Sequence, residues 1–192
     1  ITQFIQPVTN YIEDVLDESS SVLYLLEKYK IRTENFLKKD LLNRYKNLDK
    51  NYEQLLEDDI RLYLFDNGID NPFSTPKSAS GRADIVGLLD TSDPLVLEIK
   101  IYDAEKGYKK QRVIDGFNQV VRYSNDYNKP VGYLVVFVIN NVTFSFQNSV
   151  NEKTWPVKIE NPSKAFYIIF INLFDDSSAS NSKSPENIFI EI

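Results

Sequence analysis

The spacing of apolar positions divides the chain into a helical first part and a strand-rich remainder interrupted by one further helical stretch. Val8, Ile12, Val15 and Leu16 recur at the spacing of one helical face. Val22 to Tyr29 gives a second such stretch, and Phe36, Leu37, Leu41, Leu42 and Tyr45 a third. From Asn51 to Phe65 the period continues through Tyr52, Leu55, Leu56, Ile60, Tyr63 and Leu64, with Asn67-Gly68 as its stop. Beyond a proline-containing stretch, Asn71 to Pro76, short apolar runs bounded by turn residues take over. Ala83 to Leu89 and Leu95 to Ile101 predict a hairpin joined through Asp90-Thr91-Ser92-Asp93-Pro94. Tyr108 to Tyr127 returns to helical spacing, with Val113, Phe117, Val120, Val121 and Ser124 on one side. Val131 to Ile139 is a continuous apolar run, as expected of a central strand covered on both faces. Val142 to Phe146, Ala165 to Phe174 and Ile188 to Ile192 predict further strands. Asp175 to Pro185, rich in Ser, Asp and Asn, predicts a mobile surface loop.

This order predicts an α/β fold with a mixed central sheet flanked by helices, the principal domain spanning 51–192. Residues 1–50 form an N-terminal helical extension in this reading, and the last strands are additions at the C-terminal end. A length of 192 residues suits one such unit, and 42% hydrophobic with 26% charged residues argues against wholesale disorder.

One predicted strand carries charge where a core strand should not. In Leu95-Val96-Leu97-Glu98-Ile99-Lys100-Ile101, alternation sets Glu98 and Lys100 on one face and Leu97, Ile99 and Ile101 on the other. Charges on a half-buried face are costly unless paired or bound to an ion. Asp84 sits similarly in the partner strand. A hairpin symmetric about Thr91, whose paired numbers sum to 182, sets Asp84 opposite Glu98; a sum of 184 sets it opposite Lys100. Either register gathers all three on one face. Directly opposed residues have Cβ atoms roughly 4.5–5.5 Å apart, a separation at which two carboxylates repel each other but can share a divalent cation. The competing interpretation is a buried ion cluster without chemistry, since Glu-x-Lys alone is a weak signal.

Composition narrows the chemistry. With no cysteine and no histidine, thiol nucleophiles, disulfides, Cys/His zinc sites and Ser-His-Asp triads are excluded. Carboxylates, Lys, Tyr, hydroxyls and water remain, a donor set that suits magnesium. The absence of methionine means that the chain as given does not start at a translation start and is expected to belong to something longer. Val131 to Ile139 is far shorter than the roughly 20 residues of a membrane span, and no signal pattern opens the chain, so a cytoplasmic domain with no membrane association is expected. A net charge of −6 argues mildly against a protein that coats nucleic acid. Its basic residues are nonetheless clustered: eight from Lys28 to Lys50 against Glu34, Asp40 and Asp49, and then Lys106, Lys109, Lys110 and Arg112 after the charged strand.

Asp84, then Glu98-Ile99-Lys100, then Gln119-Val120-Val121-Arg122-Tyr123 on the following helix resembles the PD-(D/E)xK nuclease superfamily, and within it the RecB-like members that carry a QxxxY motif. The resemblance covers about Tyr52 to Ile139, with Ala83 where the motif name has Pro. It implies a restriction-endonuclease-like core ordered α-β-β-β-α-β. It further implies phosphodiester hydrolysis, with Asp84, Glu98 and the Ile99 carbonyl holding Mg2+ (or Mn2+). Lys100 would orient water and stabilise charge on the phosphate, and Gln119 and Tyr123 would position water or substrate. An acid on the preceding helix is also implied, with Glu57 the choice and Glu53 the alternative. Lys106, Lys109, Lys110 and Arg112 would follow the nucleic-acid backbone. The expected activity is a Mg2+-dependent deoxyribonuclease, DNA being favoured over RNA, as the effector domain of a larger repair or defence protein. Cutting both strands of a duplex would favour a homodimer. A nuclease-fold module that binds nucleic acid or a protein partner without cutting is the alternative.

Overall fold

The computed structural model describes residues 21–69, 83–147, 156–161, 163–174 and 184–192. Helix α1 (Ser21–Arg32) runs through a π-helical turn (Thr33–Leu37) into α2 (Lys38–Lys46), and α3 (Tyr52–Asp66) follows. Strands β1 (Ile85–Gly87) and β2 (Leu95–Tyr102) precede α4 (Lys110–Asp126). Then come β3 (Val131–Val138), β4 (Val142–Phe146), β5 (Val157–Asn161), β6 (Lys164–Asn172) and β7 (Glu186–Ile190). The helix expected around Val8 to Leu16, any strand ahead of the hairpin within 70–82, and positions 175–183 of the expected loop lie outside the described residues.

Two elements depart from the apolar pattern. The wider π turn advances the face of the helix, so Leu41, Leu42 and Tyr45 are buried while Phe36, expected on the same stripe, is 80% exposed. Strand β5 was not expected, because its alternation of Val157 and Ile159 with Lys158 and Glu160 is short and largely polar; it is held by antiparallel pairing with β6.

The main sheet has the order β1-β2-β3-β6-β5. Its centre, β2, β3 and β6, is parallel, and β1 and β5 are antiparallel edges, so the sheet is mixed as expected. Parallel strands need crossovers, and α4 provides the one from β2 to β3. Alternation sorts the side chains onto two covered faces. Leu95, Leu97, Ile99 and Ile101, with Tyr133, Val135, Phe137, Ile169 and Ile171, pack under Val22, Leu26, Tyr29, Leu41, Tyr45, Leu56, Ile60 and Leu64 of the first three helices. The other face meets Val113, Phe117 and Val120 of α4, together with Phe146 and Ile190 from a two-stranded parallel ribbon, β4 with β7. Residues 21–46 therefore share one core with the sheet. Strand β2 is buried along its whole length and not half-buried as its alternation suggested, which makes its two charges more costly. Among the described residues no helix is long and apolar enough to cross a membrane.

Candidate active site at the sheet edge

The hairpin pairs Ile85 with Leu97, Val86 with Val96 and Gly87 with Leu95. Each pair sums to 182, so extending the register sets Asp84 opposite Glu98. The ladder ends before that pair, because the Asp84 carboxylate replaces the backbone: its Oδ2 accepts the Ile99 N–H at 2.7 Å. A residue's N–H and carbonyl point to the same neighbour in a sheet, so the Ile99 carbonyl lies on this shortened edge as well. There it accepts from Lys100 Nζ at 3.2 Å.

Lys100 Nζ also donates to Glu98 Oε1 at 2.5 Å. Glu98 is 2% exposed and Lys100 5%. The second oxygen, Glu98 Oε2, is buried without a hydrogen-bond partner. Burial first, and then the Asp84 charge, pushes the Glu98 carboxyl up to about 7 against the opposing influence of Lys100. Burial likewise raises Asp84, opposed by Lys100 and by the Ile99 N–H. The lysine thus offsets only part of the cost of holding two desolvated carboxylates together.

Helix α3 brings further acids. Glu53 and Glu57, four residues apart and so on one helical face, line a cavity of about 590 Å³ together with Asp84, Tyr52 and Tyr108. Glu57 forms an ion pair with Arg61, which also donates to the Asp84 carbonyl at 3.3 Å. Burial raises the Glu57 carboxyl, with Arg61 opposing. Glu53 accepts from Arg112 Nη2 through both oxygens at 2.7 Å. Both candidate helical acids therefore reach the same cavity. Among the described residues no group of three or more acidic side chains converges as a preformed metal cage; Glu98 is instead paired with Lys100, Glu57 with Arg61 and Glu53 with Arg112, while Asp84 is held by the Ile99 N–H.

Tyr123 and Gln119 lie on α4, on the face that covers Glu98 and Lys100. Tyr123 is buried with Ala83, Val86 and Val96. Its hydroxyl is raised by burial and then by the Glu98 charge, and shares a hydrogen bond with the Gln119 side chain. Arg112, expected along a nucleic-acid backbone, is engaged by Glu53, whereas Lys109 and Lys110 at the start of α4 are exposed. Lys106 is exposed, its Nζ 4.4 Å above the Tyr52 ring.

Sequence reasoning missed Arg61, Tyr108 and Gly116. Arg61 was signalled by its four-residue spacing from Glu57. Gly116 was signalled by standing inside an amphipathic helix, where glycine is unfavourable unless something approaches closely. That neighbour is Lys100: a Cβ at Gly116 would lie 2.6 Å from Lys100 Cγ and 3.0 Å from Leu134 Cδ1.

The donor set fits a hard divalent cation. It is entirely oxygen, it includes a buried carboxylate oxygen with no hydrogen-bond partner and a carbonyl at a shortened sheet edge, and it sets the Asp84 charge against Glu98. No family model matches the chain, and no curated protein and no solved structure matches it either.

Proposed function

We propose that the chain is a metal-dependent nuclease domain that hydrolyses phosphodiester bonds in DNA, built on a restriction-endonuclease-like core. The observation that carries the reading is Glu98: a carboxylate 2% exposed, paired with Lys100 through one oxygen and left without a partner at the other. A purely structural ion cluster in so buried a strand satisfies its oxygens, because an unmet buried acceptor costs about 1–3 kcal/mol, more when charged. An acceptor kept open beside a second carboxylate and a lysine supports a ligand-binding role.

In this reading Asp84, Glu98 and the Ile99 carbonyl hold Mg2+ or Mn2+, with Glu57 or Glu53 as a further acid from α3. The cation supplies charge stabilisation at the phosphate and a lowered water pKa. Lys100 holds a donor beside the reacting phosphate, and its rotatable ammonium suits charge that shifts between oxygens. Tyr123 and Gln119 orient water or a phosphate oxygen by hydrogen bonds. Lys106, Lys109 and Lys110 attract the backbone.

A module that binds without cutting is the second reading. It is favoured by the pairing of Glu53 with Arg112 and Glu57 with Arg61, which leaves each helical acid already neutralised. Incubation with plasmid and single-stranded DNA separates the two. The first reading expects cleavage in Mg2+ or Mn2+ that EDTA stops and that is lost in Glu98→Ala, with the variant still folded by circular dichroism. Absence of cleavage of DNA or RNA with either metal overturns it in favour of the second.

A further inference from the structure

Between β2 and α4 the chain builds a loop whose Asp103 and Tyr108 the chemistry above does not use. Asp103, 3% exposed, accepts the Tyr45 hydroxyl at 2.7 Å through Oδ2. Its Oδ1 accepts the Glu105 and Lys106 N–H groups at 3.0 and 3.3 Å. Its backbone exchanges two hydrogen bonds with Tyr108, each 2.8 Å long. The loop is thereby fastened from both its side-chain and main-chain groups. It holds the Tyr108 ring edge-on to Tyr52 at 6.5 Å between centroids, with Tyr45 behind Tyr52 at 5.1 Å.

Tyr52 and Tyr108 are both only partly buried, and both line the cavity of about 590 Å³ that Asp84, Glu53 and Glu57 share. Cations accompany the rings: Lys106 over Tyr52 at 4.4 Å and Arg112 over Tyr108 at 5.5 Å. Partly exposed rings beside cations are the combination with which proteins hold unpaired strands, a base stacking on the ring while the cation takes the phosphate. The cavity falls within the roughly 300–1,000 Å³ of small-ligand sites, room for one nucleotide but not for a duplex. Asp49, Glu53, Glu57 and Asp84 outnumber Lys50 in its lining and disfavour phosphate, so the uncharged base is the part that enters; Lys106, whose Nζ hydrogen-bonds the Tyr52 hydroxyl at 3.3 Å, leaves the ring face as the base stacks and takes the phosphate.

We propose that Tyr52 and Tyr108 form a base-stacking subsite that takes one unpaired nucleotide beside Asp84, with Lys106 as its phosphate contact. The position of this nucleotide relative to the bond cut rests on the nuclease reading. The subsite itself rests on the cavity and its rings.

The test is fluorescence-anisotropy binding in EDTA, where no turnover occurs, with labelled oligodeoxythymidylate and an abasic strand of equal length and charge. The wild type is expected to favour the base-bearing strand on the order of tenfold. That preference disappears in Tyr52→Leu and in Tyr108→Leu, while Tyr52→Phe, which keeps the ring, retains it. A duplex of the same length binds no tighter than the abasic strand. Equal affinity of the wild type for the two strands, binding of neither, or a preference that survives Tyr52→Leu/Tyr108→Leu overturns the subsite. Metal-dependent cleavage without base preference would remove the subsite and leave the nuclease reading; base preference without cleavage would do the reverse.

Discussion

Burying Glu98 beside Lys100 adds little net stability, because each charge loses water as it gains the other. Removing one partner is a different matter. Lys100→Met leaves Glu98 uncompensated and is expected to cost about 3 kcal/mol in urea unfolding at pH 8, whereas Glu98→Gln/Lys100→Met recovers most of that loss; equal costs for the single and the double variant would refute the pairing. The same residue makes stability pH-dependent. Its folded value near 7 stands above the ordinary 4.5, so its favourable contribution is complete below about 4.5 and is lost as pH rises through about 7. Wild type should therefore lose stability relative to Glu98→Gln between pH 5 and pH 8. A constant difference in urea midpoint across that range would contradict the burial argument.

Helix α4 positions the chemistry by coming close to β2, and Gly116 is where it does so. Gly116→Ala gains helix propensity of about 1 kcal/mol but drives a methyl group into Lys100 and Leu134. Overpacking of this kind costs about 1–3 kcal/mol, so a net loss of stability by urea titration is expected, with a larger loss in Gly116→Val. A stabilised Gly116→Ala would show that the helix and strand are further apart than described. Much of this region was legible in the sequence. Alternation alone assigned Glu98 and Lys100 to one face, and the register with Asp84 opposite Glu98 was one of two that the turn allowed. The choice between Glu53 and Glu57 was not legible, since residues four apart share a helical face and both reach the cavity. Nor was the π turn that exposes Phe36, because nothing in local periodicity specifies an inserted residue. The cavity between the start of α3 and the Tyr108 loop joins segments more than fifty positions apart, and no local pattern encodes that.

At the scale of the whole molecule, the first helices are part of the core. Leu26 and Tyr29 of α1 and Leu41 and Tyr45 of α2 are buried in the same cluster as Leu97, Ile99 and Phe137. A single cooperative unfolding transition is therefore expected, reported identically by circular dichroism and by tyrosine fluorescence. Leu26→Ala should lower stability by about 2–5 kcal/mol, and deletion of residues 1–46 should abolish folding. A stably folded 47–192 fragment would show instead that the two parts are independent. The arrangement also links fold to site: the helices that cover one face of the sheet hold Tyr45, which fastens Asp103 and hence the loop beside the cavity.

In the proposed function Asp84 and Glu98 form a divalent-cation site, and calorimetric titration of Mn2+ into wild type and Glu98→Gln at pH 6 and pH 8 tests it most directly. Because a cation must displace the proton that the buried Glu98 retains up to about 7, wild type should bind more tightly at pH 8 than at pH 6, and Glu98→Gln should bind weakly at both. No binding by wild type at pH 8, or equal binding by the two proteins, would contradict it.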